Sequence, residues 1–335
     1  MDRQVLIVSP AARAHNNGNW QTASRWAHFL RARYRVRIAS AWTAAQPAPA
    51  LLVALHARRS AASLAAFRAA HPGCPAALVL TGTDLYRDIA DDRAAQAALR
   101  QADALVLLQP AGIDLLPPPV HAKTRVIYQS APALRPQRHA AAPRHLDICM
   151  VGHLRAEKDP LTFMRASALL RGADARLRLL HIGGALEPAL GAAAEAAQAA
   201  DPRYHWLGAL PHGAARQRLK RSHAMVIASR MEGGANVIIE AVTSGVPVLA
   251  SDISGNRGML GDDYAGYFPL GDAAALAALI ARSAADPAFY ALLRAQCAAR
   301  AALFDPAAER AAVLDLVDNL LHAHHAPSIT EMEPS

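Results

Sequence analysis

Cysteine is scarce and poorly placed for a metal. Cys74, Cys149 and Cys297 are the only three in 335 residues, and no two share a ligand-type spacing. Three thiols cannot all pair, which excludes a disulfide framework. Cys149 lies inside an apolar run and reads as a buried thiol in a reducing compartment. Aromatic residues amount to 5%, and none is interleaved with basic clusters in the manner of a nucleic-acid surface, although the formal net charge is +8. That positive excess is spread along the chain and suits small anionic partners. No window approaches the ~20 apolar residues that a membrane helix needs. The run 5–8 is too short for a signal core, and no charged leader precedes it. The expectation is a soluble, cytoplasmic protein with no nucleic-acid or membrane partner.

What is present is apolar surface for two cores, 53% of residues, much of it alanine anchored by Leu, Ile and Val runs. In the N-terminal half, strand-like runs fall at 4–8, 35–40, 51–55, 76–80, 104–108 and 124–127, with helical stretches at 60–70 and 92–101. Strand and helix alternate as in a parallel α/β sheet. A polar loop over 9–19 precedes a helix to about Arg33, whose Trp20, Ala23, Trp26, Ala27 and Leu30 share one face. Asn17, Gly18 and Asn19 in that loop either hold an anion at the helix start or, through Asn19, simply cap it. Two further strand ends carry polar clusters, His56 with Arg58 and Arg59, and Thr83, Asp84 and Arg87. Folds of this class keep their ligands at such ends. A lone histidine there has a structural reading as well. The pattern lapses into a polar, proline-bearing linker over 134–144. This divides the chain into domains 1–140 and 145–304, a terminal helix over about 305–325 that docks back onto the first, and a flexible tail 326–335.

The second half begins with a strand over 145–151 and the loop GHLRAEKDP. Asp159-Pro160 predicts a helix start with Asp as N-cap and Pro at the first helical position. That leaves His153, Arg155 and Lys158 in the loop between a first strand and its helix, where phosphate is usually held. Strands follow at 177–182, 204–207, 224–228, 248–250 and 265–270, the second of these ending in a turn of Gly208 and Leu210 whose backbone suits a flat base edge. The stretch 229–252 is the most informative. Glu232 and two glycines, Gly233 and Gly234, lead through Ala235 and Asn236 into a helix carrying Glu240, which Gly245 and Pro247 stop. Glycines admit a ligand close to the backbone, a helix start favours phosphate, and carboxylates accept from sugar hydroxyls. A glycine-rich turn with two solvated glutamates is the plainer alternative. No Asp-x-Asp pair occurs. A leaving diphosphate would therefore be neutralised by Arg, Lys and helix dipoles, with no cofactor and no divalent metal expected.

The spacing Glu232-x7-Glu240, the GVPVLASD after it and VGHLRAEKDP before it resemble the nucleotide-sugar site of family-4 GT-B glycosyltransferases. That resemblance implies two Rossmann-like domains with parallel sheets facing a central cleft. It also implies Lys158 at the diphosphate, Glu240 at the ribose hydroxyls, and Glu232 with the amides after it at the donor sugar. Its catalytic set would be Lys158, Arg155 and Glu232. His153 stands where that family usually has arginine, which shifts weight to Arg155. In the N-terminal half GNWQTASRWAHFLR, LHARRSAASLAAFR and LTGTDLYRD resemble the selenosugar synthases of selenoneine biosynthesis. This second resemblance implies a UDP-sugar donor, UDP-N-acetylglucosamine ahead of UDP-glucose, and selenophosphate as acceptor. Asn17, Gly18, Asn19, Thr83, Asp84 and Arg87 are the acceptor candidates, and Arg25 a weaker one. It further implies coupling to an enzyme that makes selenophosphate and to one that consumes the selenosugar. A conventional hydroxyl acceptor, or a sensor that binds without turnover, are the competing readings.

Overall fold

The structure, a computed structural model, describes residues 3–10, 18–135, 144–170 and 172–324. Asn17 and the tail from 325 onward lie outside the described residues, as does most of the proline-bearing run. The chain divides into two compact units, one of residues up to Tyr128 together with those from Ala307, the other Gln129–Pro306. Each is built on a six-stranded sheet in which all recorded pairings are parallel.

In the first unit the strands are β1 (Gln4–Val8), β2 (Arg35–Ala39), β3 (Leu51–Leu55), β4 (Ala76–Val79), β5 (Ala104–Leu107) and β6 (Thr124–Val126), ordered β2-β1-β3-β4-β5-β6. β3, β4 and β5 are buried along their whole length, the reason each reads as an unbroken apolar run. One face is covered by the helices Ala61–Ala70 and Arg93–Gln101, which contribute Leu64, Phe67 and Leu99 to a core with Leu6, Leu52 and Leu78. The other face is covered by the helix Gly18–Leu30 and the last helix, Pro306–Ala323. Trp26, Ala27 and Leu30 of the former meet Val313, Leu316, Val317 and Leu321 of the latter in one core.

A buried polar contact fixes that last helix. Glu309, whose side chain is fully buried, accepts from Arg25 Nε at 2.7 Å and Trp26 Nε1 at 2.9 Å. Arg25, a weaker acceptor-site candidate, thus has a packing partner within its own unit. Glu309→Ala would remove a buried carboxylate that accepts from both Arg25 Nε and Trp26 Nε1, at an expected cost of about 3 kcal/mol. Chemical denaturation checks this, and an unchanged midpoint would show that the apolar contacts alone hold the helix.

The second unit contains β7 (Leu146–Val151), β8 (Leu177–Ile182), β9 (Tyr204–Trp206), β10 (Ala224–Ile227), β11 (Val248–Ser251) and β12 (Tyr267–Phe268), ordered β12-β11-β10-β7-β8-β9. This is the Rossmann order, with its switch point between β10 and β7. The division between units falls at 128/129, ahead of the polar run that marks it in the sequence. Polarity misleads here because residues 129–135 are tied to the second unit by backbone. Ala131 N–H donates to Phe304 O, Leu134 N–H to Thr243 O, and the Arg216 guanidinium to Pro132 O.

Asn19 lies inside the helix Gly18–Leu30, which sets aside its reading as a cap. The segment after Thr83, to which the sequence assigns neither strand nor helix, is helical, a π turn over Asp84–Asp88 running into Ile89–Asp91. No single helix among the described residues is long and apolar enough to cross a membrane.

Candidate functional site

β7 and β10 are parallel neighbours, so the loops leaving their carboxyl ends are brought side by side. The loop after β7 carries His153 and Arg155, closes in a short 3-10 turn, Ala156–Lys158, and enters the helix Pro160–Leu169. Pro160 disfavours the right-handed helical region for the residue before it, and Asp159 takes left-handed backbone at φ 45°. Asp159 occupies the N-cap position without capping, which corrects the expectation for its side chain. Its carboxylate instead accepts from the Thr162 hydroxyl at 3.0 Å and from Arg230 Nη2 at 3.2 Å.

Arg230 belongs to the loop after β10, and its N–H also donates to Glu157 O at 2.9 Å. These bonds stitch the two loops together, and beside them Lys158 Nζ donates to Glu232 Oε1 at 2.5 Å. Residues 74 positions apart thereby form one ion pair with 21% and 10% of their side chains exposed. The turn bearing Glu232 is backed by the helix Ser254–Leu260. A Cβ added at Gly255 would lie 2.0 Å from Glu232 O, so only glycine permits this approach. Gly233 and Ala235 are buried and Gly234 is half-buried.

Asn236 opens the helix Asn236–Val242, and Glu240 sits in its second turn. Glu240 Oε1 is 2.6 Å from Nε2 of His212, the first residue of the helix His212–Arg221. The hydrogen bond to Glu240 raises the His212 pKa above the ordinary histidine value, with burial working against it. The protonated imidazole is thus favoured below the ordinary value, and its pairing is lost as pH rises through the raised one. In an NMR titration His212 should titrate above a free histidine, and Glu240→Gln should bring it back down. An unshifted His212 in the wild type would contradict this contact.

Other donor-side candidates are placed less centrally. His153 is exposed, and its Nδ1 accepts from Gly184 N–H at 3.0 Å. Arg155 leans toward Glu157, 4.0 Å away, with 41% of its side chain exposed. Gly208 needs its glycine, having φ 66°, and its carbonyl accepts from Gly183 N–H at 2.8 Å. Leu210 is half-buried just ahead of His212.

In the first unit the segments after the neighbouring strands β1, β3 and β4 hold the remaining candidates. Gly18 is exposed and Asn19 half-buried at the helix start. His56 is almost fully buried, has left-handed backbone at φ 73°, and sets Nε2 3.1 Å from Thr83 Oγ1. Positive φ is uncommon outside glycine, though histidine is among the residues that adopt it more readily. Burial, the main cause, lowers the pKa of His56.

Asp84 has a different task from the one expected. It is fully buried, and its carboxylate accepts from the N–H groups of Ala57 at 2.9 Å, Thr81 at 3.0 Å and Gly82 at 2.8 Å. It ties the ends of β3 and β4 together and offers no face to a ligand. Arg87 is half-exposed, with Nε 3.5 Å from Asp88. Asp88 also takes Arg58 Nε at 3.0 Å, and these three residues line an open cavity of about 440 Å³ with Asp91 and Asp92.

Sequence reasoning missed His212, Arg230 and Asp88. The signal for His212 was present, a polar residue directly after the Gly208–Pro211 turn, but nothing local indicates that it meets Glu240 28 positions on.

Two parallel-sheet Rossmann-like units, the second with Lys158 and Glu232 joined at its switch point, have a fold of the GT-B glycosyltransferase type. Residues 135–303, about half of the chain, match the family of glycosyl transferases group 1, and the chain belongs to that family. It is 31% identical over 123 residues to glycosyltransferase 1 domain-containing protein 1 of Xenopus tropicalis, a match covering 37% of this chain and 35% of that protein's length. The fold is similar to that of a sucrose-phosphate synthase from Thermosynechococcus elongatus, with TM-score 0.76 and 18% identity, covering 96% of this chain and 100% of that one. Anabaena HepE, solved in complex with UDP-glucose, is similar over 94% of this chain and 99% of its own, with TM-score 0.72 and 15% identity.

Proposed function

We propose that the protein transfers the sugar of a UDP-sugar to the selenium of selenophosphate. The observation that carries the donor half is the Lys158–Glu232 pair at the β7/β10 switch point, with Glu240 on the helix that follows. Lysine has three N–H donors, one of which goes to Glu232, so two remain for a diphosphate. HepE, a protein of similar fold, is one solved with UDP-glucose. UDP-N-acetylglucosamine is the first donor to test and UDP-glucose the second.

The acceptor half is supported by the three N-terminal segments that resemble selenosugar synthases. They follow β1, β3 and β4, three neighbours in one sheet. Selenophosphate presents an anionic, soft nucleophile, so the reaction needs no general base. A selenium lone pair forms the bond to the anomeric carbon while the bond from that carbon to the diphosphate oxygen breaks, its electrons leaving with UDP. Water then cleaves the selenium–phosphorus bond, giving the selenol and inorganic phosphate. Stabilising the departing diphosphate is the protein's main task, done by Lys158 and Arg155 with no divalent ion in this reading.

The test is UDP release from each donor in the presence of a chelator, with and without selenophosphate. Release should depend on selenophosphate. Equal release without it, or transfer to an added alcohol, would sink the acceptor assignment, and UDP binding without turnover would make the protein a sensor. Arg87→Ala should raise the apparent KM for selenophosphate more than that for the donor. The reverse pattern would misplace the acceptor site.

A further inference from the structure

We infer that His212 is a positioning residue for nucleotide recognition, holding the Glu240 carboxylate in the orientation that receives the ribose diol. This rests on the donor reading above. Among the described residues, His212 is the hydrogen-bonding partner recorded for Glu240, at 2.6 Å. Glutamate at a helix surface has three rotatable bonds, and an unsupported carboxylate would have to be ordered when the nucleotide binds. Here the ordering is done beforehand. Glu240 is 12% exposed at its side chain and His212 is 52% exposed, so the contact sits at the edge of the fold, with the carboxylate on the inner side.

The partner is itself well anchored. His212 is the first residue of its helix, directly after Pro211, whose fixed φ limits how the helix can be entered. One turn on, the Arg216 guanidinium donates to Pro132 O and lies 3.5 Å from Thr243 Oγ1, at the end of the helix that bears Glu240. The two helices are thus tied at both points. Imidazole Nε2–H takes one acceptor position on Oε1. A carboxylate has about four such positions, so Oε2 and the remainder of Oε1 are left for two hydroxyl donors. The contact acts through the carboxylate that would face the diol, so a ligand lacking the diol separates the inference from simple folding.

Calorimetry with UDP and with 2′,3′-dideoxyuridine diphosphate, on wild type, His212→Ala, His212→Gln and Glu240→Gln, tests it. His212→Ala should weaken UDP binding by about five- to tenfold, the equivalent of one side chain ordered on binding, while leaving the dideoxy ligand unaffected. His212→Gln keeps an N–H donor and should recover most of the loss. In steady-state assays the alanine variant should raise KM for the donor and leave kcat near wild type. Equal loss for both ligands would mean that His212 is merely structural, and no loss for UDP would remove it from the site; either overturns the inference. Should Glu240→Gln bind UDP as the wild type does, the ribose assignment of Glu240 itself falls, a failure visible separately from that of His212.

Discussion

Lys158→Ala is expected to lower the rate of sugar transfer by roughly a hundredfold, the loss typical of removing one donor that stabilises a leaving group, ~3 kcal/mol. Two effects act in the same direction. The ammonium that would meet the departing diphosphate is gone, and Glu232, only 10% exposed, loses the cation that stood 2.5 Å away. Lys158→Arg should recover only part of the activity, because a planar fork replaces a compact point charge with three rotatable donors. The fold should survive, since the loops on either side remain joined through Arg230, whose N–H meets Glu157 O and whose guanidinium meets Asp159. Steady-state kinetics with a thermal melt separates the two outcomes. A kcat/KM close to wild type in a folded variant would take Lys158 out of the site.

Asp84→Ala should produce the largest loss of stability. The carboxylate is fully buried and satisfies three backbone N–H groups, those of Ala57, Thr81 and Gly82. Its removal leaves these donors without an acceptor in a region too tight for easy repair. Leaving buried donors unsatisfied costs about 1–3 kcal/mol for each group, so an overall loss of about 4 kcal/mol is expected. In a unit of this size that corresponds to a fall in Tm of about 10 °C. Asp84→Asn keeps one acceptor oxygen and should fall between the two. Because His56 and Thr83 stand on the two strand-end turns that Asp84 joins, activity should fall with stability. A melting temperature unchanged in Asp84→Ala would show that the β3 and β4 ends are held by other means.

The strands were legible because sheets buried on both faces leave short apolar runs bounded by polar turns. β3, β4 and β5 differ from the expected spans by at most one residue. The loops carrying Lys158 and Glu232 stand out for a related reason, since they follow directly after such runs. What the sequence hides is partnership at a distance. Asp84 looks like a strand-end ligand until Ala57 N–H, 27 positions away, is seen to claim it. Asp159 looks like a cap, but Pro160 and Arg230 draw it into another role. The division between units was displaced for the same reason. The polar run 134–144 marks a break in composition, but residues 129–135 already bond through their backbone to Thr243 and Phe304 far along the chain.

The identity of the bond formed tests the account most directly. Selenium NMR of the product made from UDP-N-acetylglucosamine or UDP-glucose and selenophosphate should show selenium coupled to the anomeric carbon, with UDP and phosphate released in equal amounts. A product with the anomeric carbon bonded to oxygen, or UDP release without any selenium–carbon coupling, would contradict it.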